Sequence, residues 1–345
     1  METKVPKGCF ILYLATLFCS YGLGFQQLHE NADMPNIQFS WSTGEPILGP
    51  PASDSDLTYS VKEPSLVFFD NRWHLFCSLR GKNDSRKIGY LTFADWPDLG
   101  SASSTPLELT SEPFGTPQVF YYSPQKLWYL VYQLHQDEEL AVKPVFSTSR
   151  NVSSPSGWSP PAALLVQRPK EIKAWADFWI ICDEDQAHLF FTSNDGRIWR
   201  SETRRNKFPT GWSEPQVAIR GDFIGAPHIY RVRGNPHYLA LVEAHRQWRR
   251  FYKAYLSPTL QGPWKPLAVT RTRPFASLTN VEFGVDEWTD TFGHGELLRA
   301  GHDERLEVEL EGMRFLYQGS RYADREGKLP REVPWKLGIL VSKRR

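Results

Sequence analysis

Glu63-Pro64-Ser65-Leu66-Val67-Phe68 runs through a polar hairpin into Trp73-His74-Leu75-Phe76, and this unit decides the fold because the chain repeats it. Later starts are Thr116-Pro117-Gln118-Val119-Phe120, Asp177-Phe178-Trp179-Ile180-Ile181, Gly225-Ala226-Pro227-His228-Ile229-Tyr230 and His294-Gly295-Glu296-Leu297-Leu298. Their second strands follow at Trp128-Tyr129-Leu130-Val131, Ala187-His188-Leu189-Phe190, His237-Tyr238-Leu239-Ala240 and Met313-Arg314-Phe315-Leu316. Five units at roughly 50 to 75 residues, about one four-stranded sheet each, predict an all-β, five-bladed β-propeller. In such a fold the innermost strand of each blade starts at one shared axis, so distant residues meet in a central pocket.

Working outward, strand signals dominate from Leu57 to Leu340, with turn chemistry such as Ser193-Asn194-Asp195-Gly196 between them. Phe39-Ser40-Trp41-Ser42 is one further short strand candidate. Sustained helical periodicity is lacking, so helices are expected to be short or absent. Similar tails, Ser156-Gly157-Trp158-Ser159, Thr210-Gly211-Trp212-Ser213 and Gln261-Gly262-Pro263-Trp264, are expected to close blade rims.

The chain has 345 residues, 41% hydrophobic and 14% aromatic, enough to bury a large core in a single all-β domain. Net charge is +1 with Lys and Arg scattered, which gives no basic footprint for nucleic acid. Its rings are strand filler, with a minority suited to stacking on sugars. Lys4 and Lys7 precede an apolar run from Cys9 to Leu23 that ends in Gly22-Leu23-Gly24, the pattern of a signal peptide over 1–24. The expected mature domain is 25–345, extracellular and secreted, with no membrane association. The sequons Asn83-Asp84-Ser85 and Asn151-Val152-Ser153 agree with secretion. Cys77 and Cys182 remain in the mature chain, each inside an apolar strand, and are expected as buried free thiols. Phosphate loops, serine-nucleophile elbows, zinc-binding His patterns and Cys clusters are not found in the sequence.

Three axial starts carry polar groups: Glu63, Asp177 and His294. Pro64 holds Glu63 in extended backbone, and Asp177 sits between Trp175 and Phe178-Trp179, a setting that perturbs a buried carboxyl. Two carboxyl groups on separate strands aimed at one axis are what glycosidic bond hydrolysis needs, roughly 6.5–9.5 Å apart in inverting enzymes. The alternative is that such carboxylates only bind strand-end amides, and that His294 is a hydrogen-bonding structural residue.

From Phe39-Ser40-Trp41-Ser42 to Pro334-Trp335-Lys336-Leu337-Gly338 the chain resembles family 62 of the glycoside hydrolases, the secreted α-L-arabinofuranosidases that remove arabinose branches from arabinoxylan. The resemblance is carried by Pro117-Gln118-Val119-Phe120-Tyr121-Tyr122, by Pro124 to Gln133, by Asp177-Phe178-Trp179-Ile180-Ile181-Cys182-Asp183 and by His294-Gly295-Glu296-Leu297-Leu298-Arg299. It implies a five-bladed propeller and an inverting mechanism with three carboxyl groups. Lys62-Glu63-Pro64 stands where the family has Lys-Asp-Pro, making Glu63 the general base. Asp177 matches the carboxyl that tunes and orients the general acid. Phe223-Ile224-Gly225-Ala226-Pro227-His228 stands at the family's Phe-Glu-Ala-Ser stretch and puts Gly225 at the place of the acid itself.

The nearest substitute acids are Asp222, from a loop three residues upstream, and Glu243, on the next strand and expected two strand spacings or more from the axis. The resemblance also implies a structural calcium ion in the central channel with His294 and waters around it, and no cofactor required for the chemistry. Lys62 and Trp175 flank the matched carboxyls as substrate contacts, Trp175 equally suiting the core. The expected partner is a polysaccharide, arabinoxylan or an arabinose-containing oligosaccharide, bound by a monomer. Three readings follow: an inverting α-L-arabinofuranosidase, a non-catalytic sugar-binding descendant, and a propeller used as an interaction scaffold.

Overall fold

The computed structural model describes residues 37–50, 58–81, 85–135, 142–246, 249–329 and 332–343. The expected signal segment 1–24 and Asn83 lie outside them. Five mainly antiparallel sheets stand in chain order, and each carries one of the five repeated starts. The strands that hold these starts are Thr58–Phe69, Phe114–Tyr122, Ala176–Cys182, Gly225–Val232 and Gly293–Leu297. Their hairpin partners are Arg72–Gly81, Leu127–His135, Gln186–Thr192, Tyr238–Arg246 and Arg314–Gly319, so the repeat read from the sequence is the blade repeat of a five-bladed β-propeller.

The last blade is completed by the first described strand. Trp41–Thr43 pairs antiparallel with Lys336–Ser342 and parallel with Val281–Phe283, so the first and last described strands share one sheet. The only α-helix among the described residues is Tyr322–Arg325. Asn194 and Gly196 take positive φ in the turn expected of them. The Gly-Trp tails lead into outermost strands, and two of their rings cross to the preceding blade: Trp158 meets Phe76 edge-on at 5.7 Å, and Trp264 meets Phe190 at 6.1 Å. Cys77 and Cys182 are free and buried in different blades, and burial raises both thiols, Cys77 to about 12.

All five innermost strands are interrupted at the same place. The pairing register slips between Lys62 and Ser65, Gly115 and Gln118, Ala176 and Trp179, Gly225 and His228, and Gly293 and Glu296. Within each bulge one non-glycine residue has positive φ, including Glu63, which was expected in extended backbone ahead of Pro64: Glu63 (53°), Thr116 (59°), Asp177 (57°), Ala226 (46°) and His294 (20°). A β-bulge bends its strand and re-aims one side chain. A non-glycine residue at positive φ costs on the order of 1 kcal/mol or more and persists only where its surroundings hold it.

Candidate active site

The bulge residues are held by a belt of side chains from the preceding blade. Each backbone N–H at the five positions is accepted by a side-chain oxygen: Glu63 by Gln318 (2.9 Å), Thr116 by Ser78 (2.8 Å), Asp177 by Gln133 (3.2 Å), Ala226 by Asp177 (3.0 Å) and His294 by Glu243 (2.5 Å). Gln318, Ser78, Gln133 and Glu243 occupy equivalent places on the second strands, opposite Gly293, Lys62, Gly115 and Gly225. The third-blade equivalent is Thr192, opposite Ala176, but its hydroxyl donates to the Ile224 carbonyl, and Asp177 Oδ2 takes over as acceptor. Satisfying a buried N–H in this way avoids a penalty of about 1–3 kcal/mol per group.

Glu63 carries the densest set of contacts. Oε1 accepts from Lys62 Nζ at 2.6 Å, while Oε2 accepts from Ser78 Oγ at 2.6 Å and Thr116 Oγ1 at 3.0 Å. Burial works to raise this carboxyl, but Lys62, His294 and the hydrogen bonds from Lys62 and Ser78 outweigh it and hold Glu63 far below the usual carboxylate range. Asp177 goes the other way. Burial raises it, with Glu63 and Glu243 adding negative charge nearby, against lowering by His294 and the Ala226 N–H. His294 acts on both carboxyls, its Nδ1 4.0 Å from Asp177 Oδ1 and its ring edge-on to His228 at 5.2 Å. Burial, then His294, pushes His228 far down, so it stays neutral.

Beside Glu63 opens a cavity of about 650 Å³, lined also by Lys62, Arg250, Gln318, Tyr322 and Trp335. Of the residues that the sequence reading aimed at one axis, Lys62 and Glu63 line this cavity, and Asp177 meets His294 at 4.0 Å. Trp175 is a correction: its ring is buried edge-on against Phe178 and Phe191 and its Nε1 donates to the Val142 carbonyl at 2.9 Å, so it offers no face to a sugar. The order of the two substitute acids is also reversed. Asp222 points its carboxylate fully into solvent, 4.0 Å from Lys253 Nζ. Glu243, expected far from the axis, lies directly opposite Gly225 and touches His294. Both Glu243 oxygens are engaged as acceptors, Oε1 from Arg250 at 2.7 Å and Oε2 from the His294 N–H, so neither is free to deliver a proton.

A Cβ on Gly225 would come 2.9 Å from Thr192 Cγ2 and 3.0 Å from Asp177 Oδ2. The place of the missing acid therefore adjoins Asp177. Sequence reasoning missed Thr116, Ser78, Gln133, Gln318 and Arg250. The available signal was one polar residue near the end of each apolar second strand, as in Cys77-Ser78-Leu79, Tyr132-Gln133-Leu134 and Val242-Glu243-Ala244.

A calcium ion beside His294 would need oxygen ligands. The groups nearest it are the His228 imidazole, with an unpartnered Nδ1, and Asp177, whose Oδ2 is committed to Ala226. Among the described residues, groups of three His, Cys, Asp or Glu arranged to hold a metal are lacking. These residues do not fit a side-chain calcium cage, and no step below runs through the ion.

A five-bladed propeller that carries Glu63 and Asp177 at equivalent starts of two innermost strands holds the pair of carboxyl groups that glycoside hydrolases use. Residues 43–341 match glycosyl hydrolase family 62, and the chain belongs to that family. Alpha-L-arabinofuranosidase C of Cellvibrio japonicus is 32% identical over 314 residues, which are 88% of this chain and 47% of that protein, so the chain spans about half the length of this relative. The catalytic domain of the Coprinopsis cinerea family 62 α-L-arabinofuranosidase superposes with a TM-score of 0.83 at 34% identity, over 90% of this chain and 98% of that one. The Podospora anserina α-L-arabinofuranosidase, solved with cellotriose, gives 0.83 at 32% identity over 91% and 99%.

Proposed function

We propose that the protein hydrolyses α-L-arabinofuranosyl side chains of arabinoxylan with inversion, using Glu63 as base and Asp177 as proton donor in the place vacated at Gly225. The observation that carries this reading is the opposed tuning of two carboxyls in one axial ring: Glu63 is held ionised by Lys62 and Ser78, while burial favours the protonated form of Asp177. Separated pKa values are how a carboxyl pair divides base and acid roles. A water held by Glu63 attacks the anomeric carbon from one face and gives its proton to Glu63. The bond from that carbon to the glycosidic oxygen breaks, and the oxygen takes the proton of Asp177. Asp177 Oδ2 already accepts from Ala226, which leaves Oδ1 to carry the proton. Lys62 is a candidate contact for the sugar at the mouth of the cavity. Calcium has no part in these steps.

The test is arabinose release from arabinoxylan, with NMR reading the anomer first formed. Wild type releases β-arabinofuranose, and Glu63→Gln and Asp177→Asn each lose about 10²–10⁴-fold. A second reading, a sugar-binding protein without turnover, is favoured by the crowding at Gly225 and the engagement of both Glu243 oxygens. Saturable binding of arabinoxylan oligosaccharides with no release at long incubation selects it. Export is part of the proposal: expression through a eukaryotic secretory route should give a mature N-terminus near Phe25 and a glycan at Asn151, which lies in an exposed turn.

A further inference from the structure

The cavity beside Glu63 shares Arg250 with a second hollow of about 180 Å³ lined by Arg246, Arg249, Arg250 and Arg271 with Asp290 as its acid. The two hollows together present eight basic side chains against three acidic ones, on a chain whose net charge is only +1. Charge is therefore concentrated along one path leading to the proposed base. Some of it is neutralised: Lys62 pairs with Glu63 at 2.6 Å, Arg250 with Glu243 at 2.7 Å, Arg325 with Asp290 at 2.8 Å and Arg249 with the same Asp290 at 3.3 Å. Arg246 and Arg271 are exposed and have no ion pair among the described residues.

Two of the guanidinium groups are also fixed in orientation. Arg250 lies over the Trp335 ring at 5.3 Å and Arg325 over the same ring at 5.9 Å. Stacking holds both groups in place with Arg250 turned to Glu243 and Arg325 to Asp290, so the exposed Arg246 and Arg271 are the forks left to meet a further carboxylate bidentately. A neutral arabinose branch has no charge to offer such a path.

We propose that this arginine-lined path binds the carboxylate groups of a uronate-bearing polysaccharide, so that the glycan whose arabinofuranosyl branch enters the Glu63 cavity is an acidic one. The inference rests on the functional reading above for the identity of the branch, but its charge recognition is testable alone. The probes are a glucuronoarabinoxylan fraction, the same material with its uronates reduced to neutral sugars, dextran sulfate and a DNA duplex, each titrated calorimetrically into the full chain.

Expected are about 10-fold tighter binding of the acidic fraction than of its reduced form, a difference that shrinks as salt rises, and its loss in the exposed double variant Arg246→Glu/Arg271→Glu. That variant should keep wild-type release from neutral arabinoxylan, which also reports that it is folded. Equal binding of acidic and reduced glycan, or tighter binding of DNA or dextran sulfate than of the uronate polymer, overturns the proposal. Failure of the functional reading looks different: no arabinose is released from either xylan, whatever the binding preference.

Discussion

Glu63 and Asp177 share a backbone position, the positive-φ residue of a bulge, and differ in what their carboxyl groups meet. Glu63 has three side-chain donors, whereas Asp177 has one backbone N–H and a histidine at 4.0 Å. A pH titration of stability separates them. The fold favours protonated Asp177, so wild type falls behind Asp177→Asn as pH rises above about 4, fully so above the raised value, and matches it near pH 3. For Glu63 the sign is opposite: its stabilisation is present above about 4.3 and lost as pH falls through the depressed value. Glu63→Gln should therefore lower the neutral-pH melting temperature while Asp177→Asn raises it, a pair of shifts that calorimetry reads directly.

Gly225 gives the complementary experiment. Glutamate there meets Thr192 Cγ2 at 2.9 Å, so Gly225→Glu alone should lose about 1–3 kcal/mol by overpacking. Gly225→Glu/Thr192→Ser removes the offending methyl. It should regain most of that stability and release arabinose faster than wild type, as urea unfolding and product assay would record.

Among the strands, the belt explains why five bulges of different composition adopt one geometry. Its acceptors are Gln318, Ser78, Gln133, Asp177 and Glu243, unlike in chemistry, so the only trace in the sequence was a polar residue near the end of most of the apolar second strands. Blade starts were legible because three of the bulge residues precede proline and each innermost strand continues as an apolar run. Glu243 was misjudged because strand count suggests distance from the axis, whereas a long side chain directly opposite the bulge spans it. Trp175 was open to two readings because a ring beside a carboxyl looks the same in sequence whether it faces a cleft or the core. Gln318→Ala tests the belt. It orphans the Glu63 N–H and should cost about 1–3 kcal/mol in denaturant unfolding. It should also lower kcat more than KM, since about 1 Å of movement at the base can cost on the order of 100-fold. Gln318→Glu, which keeps an acceptor, should restore much of the stability.

The whole ring depends on how it is closed. The strand Trp41–Thr43 joins the beginning of the described fold to its end, and its three residues bridge two strands of the last blade. Trp41 is fully buried, edge-on to Phe275 at 5.1 Å, and donates its Nε1–H to the Phe275 carbonyl at 2.6 Å. That blade also supplies Gln318 to Glu63, and it carries His294. Loosening the closure should thus reach the site without any change to a site residue. Trp41→Ala removes a buried indole and is expected to cost about 3–5 kcal/mol, whereas Trp41→Phe, which keeps a ring and loses one hydrogen bond, should cost substantially less. Thermal unfolding of the two variants gives the ordering. Arabinose release measured well below their midpoints should fall in Trp41→Ala before the far-ultraviolet spectrum changes, because the register of one edge blade is lost while the other four sheets stand. Equal activity in both variants at that temperature would mean that the axial bulges hold their geometry without the closing strand.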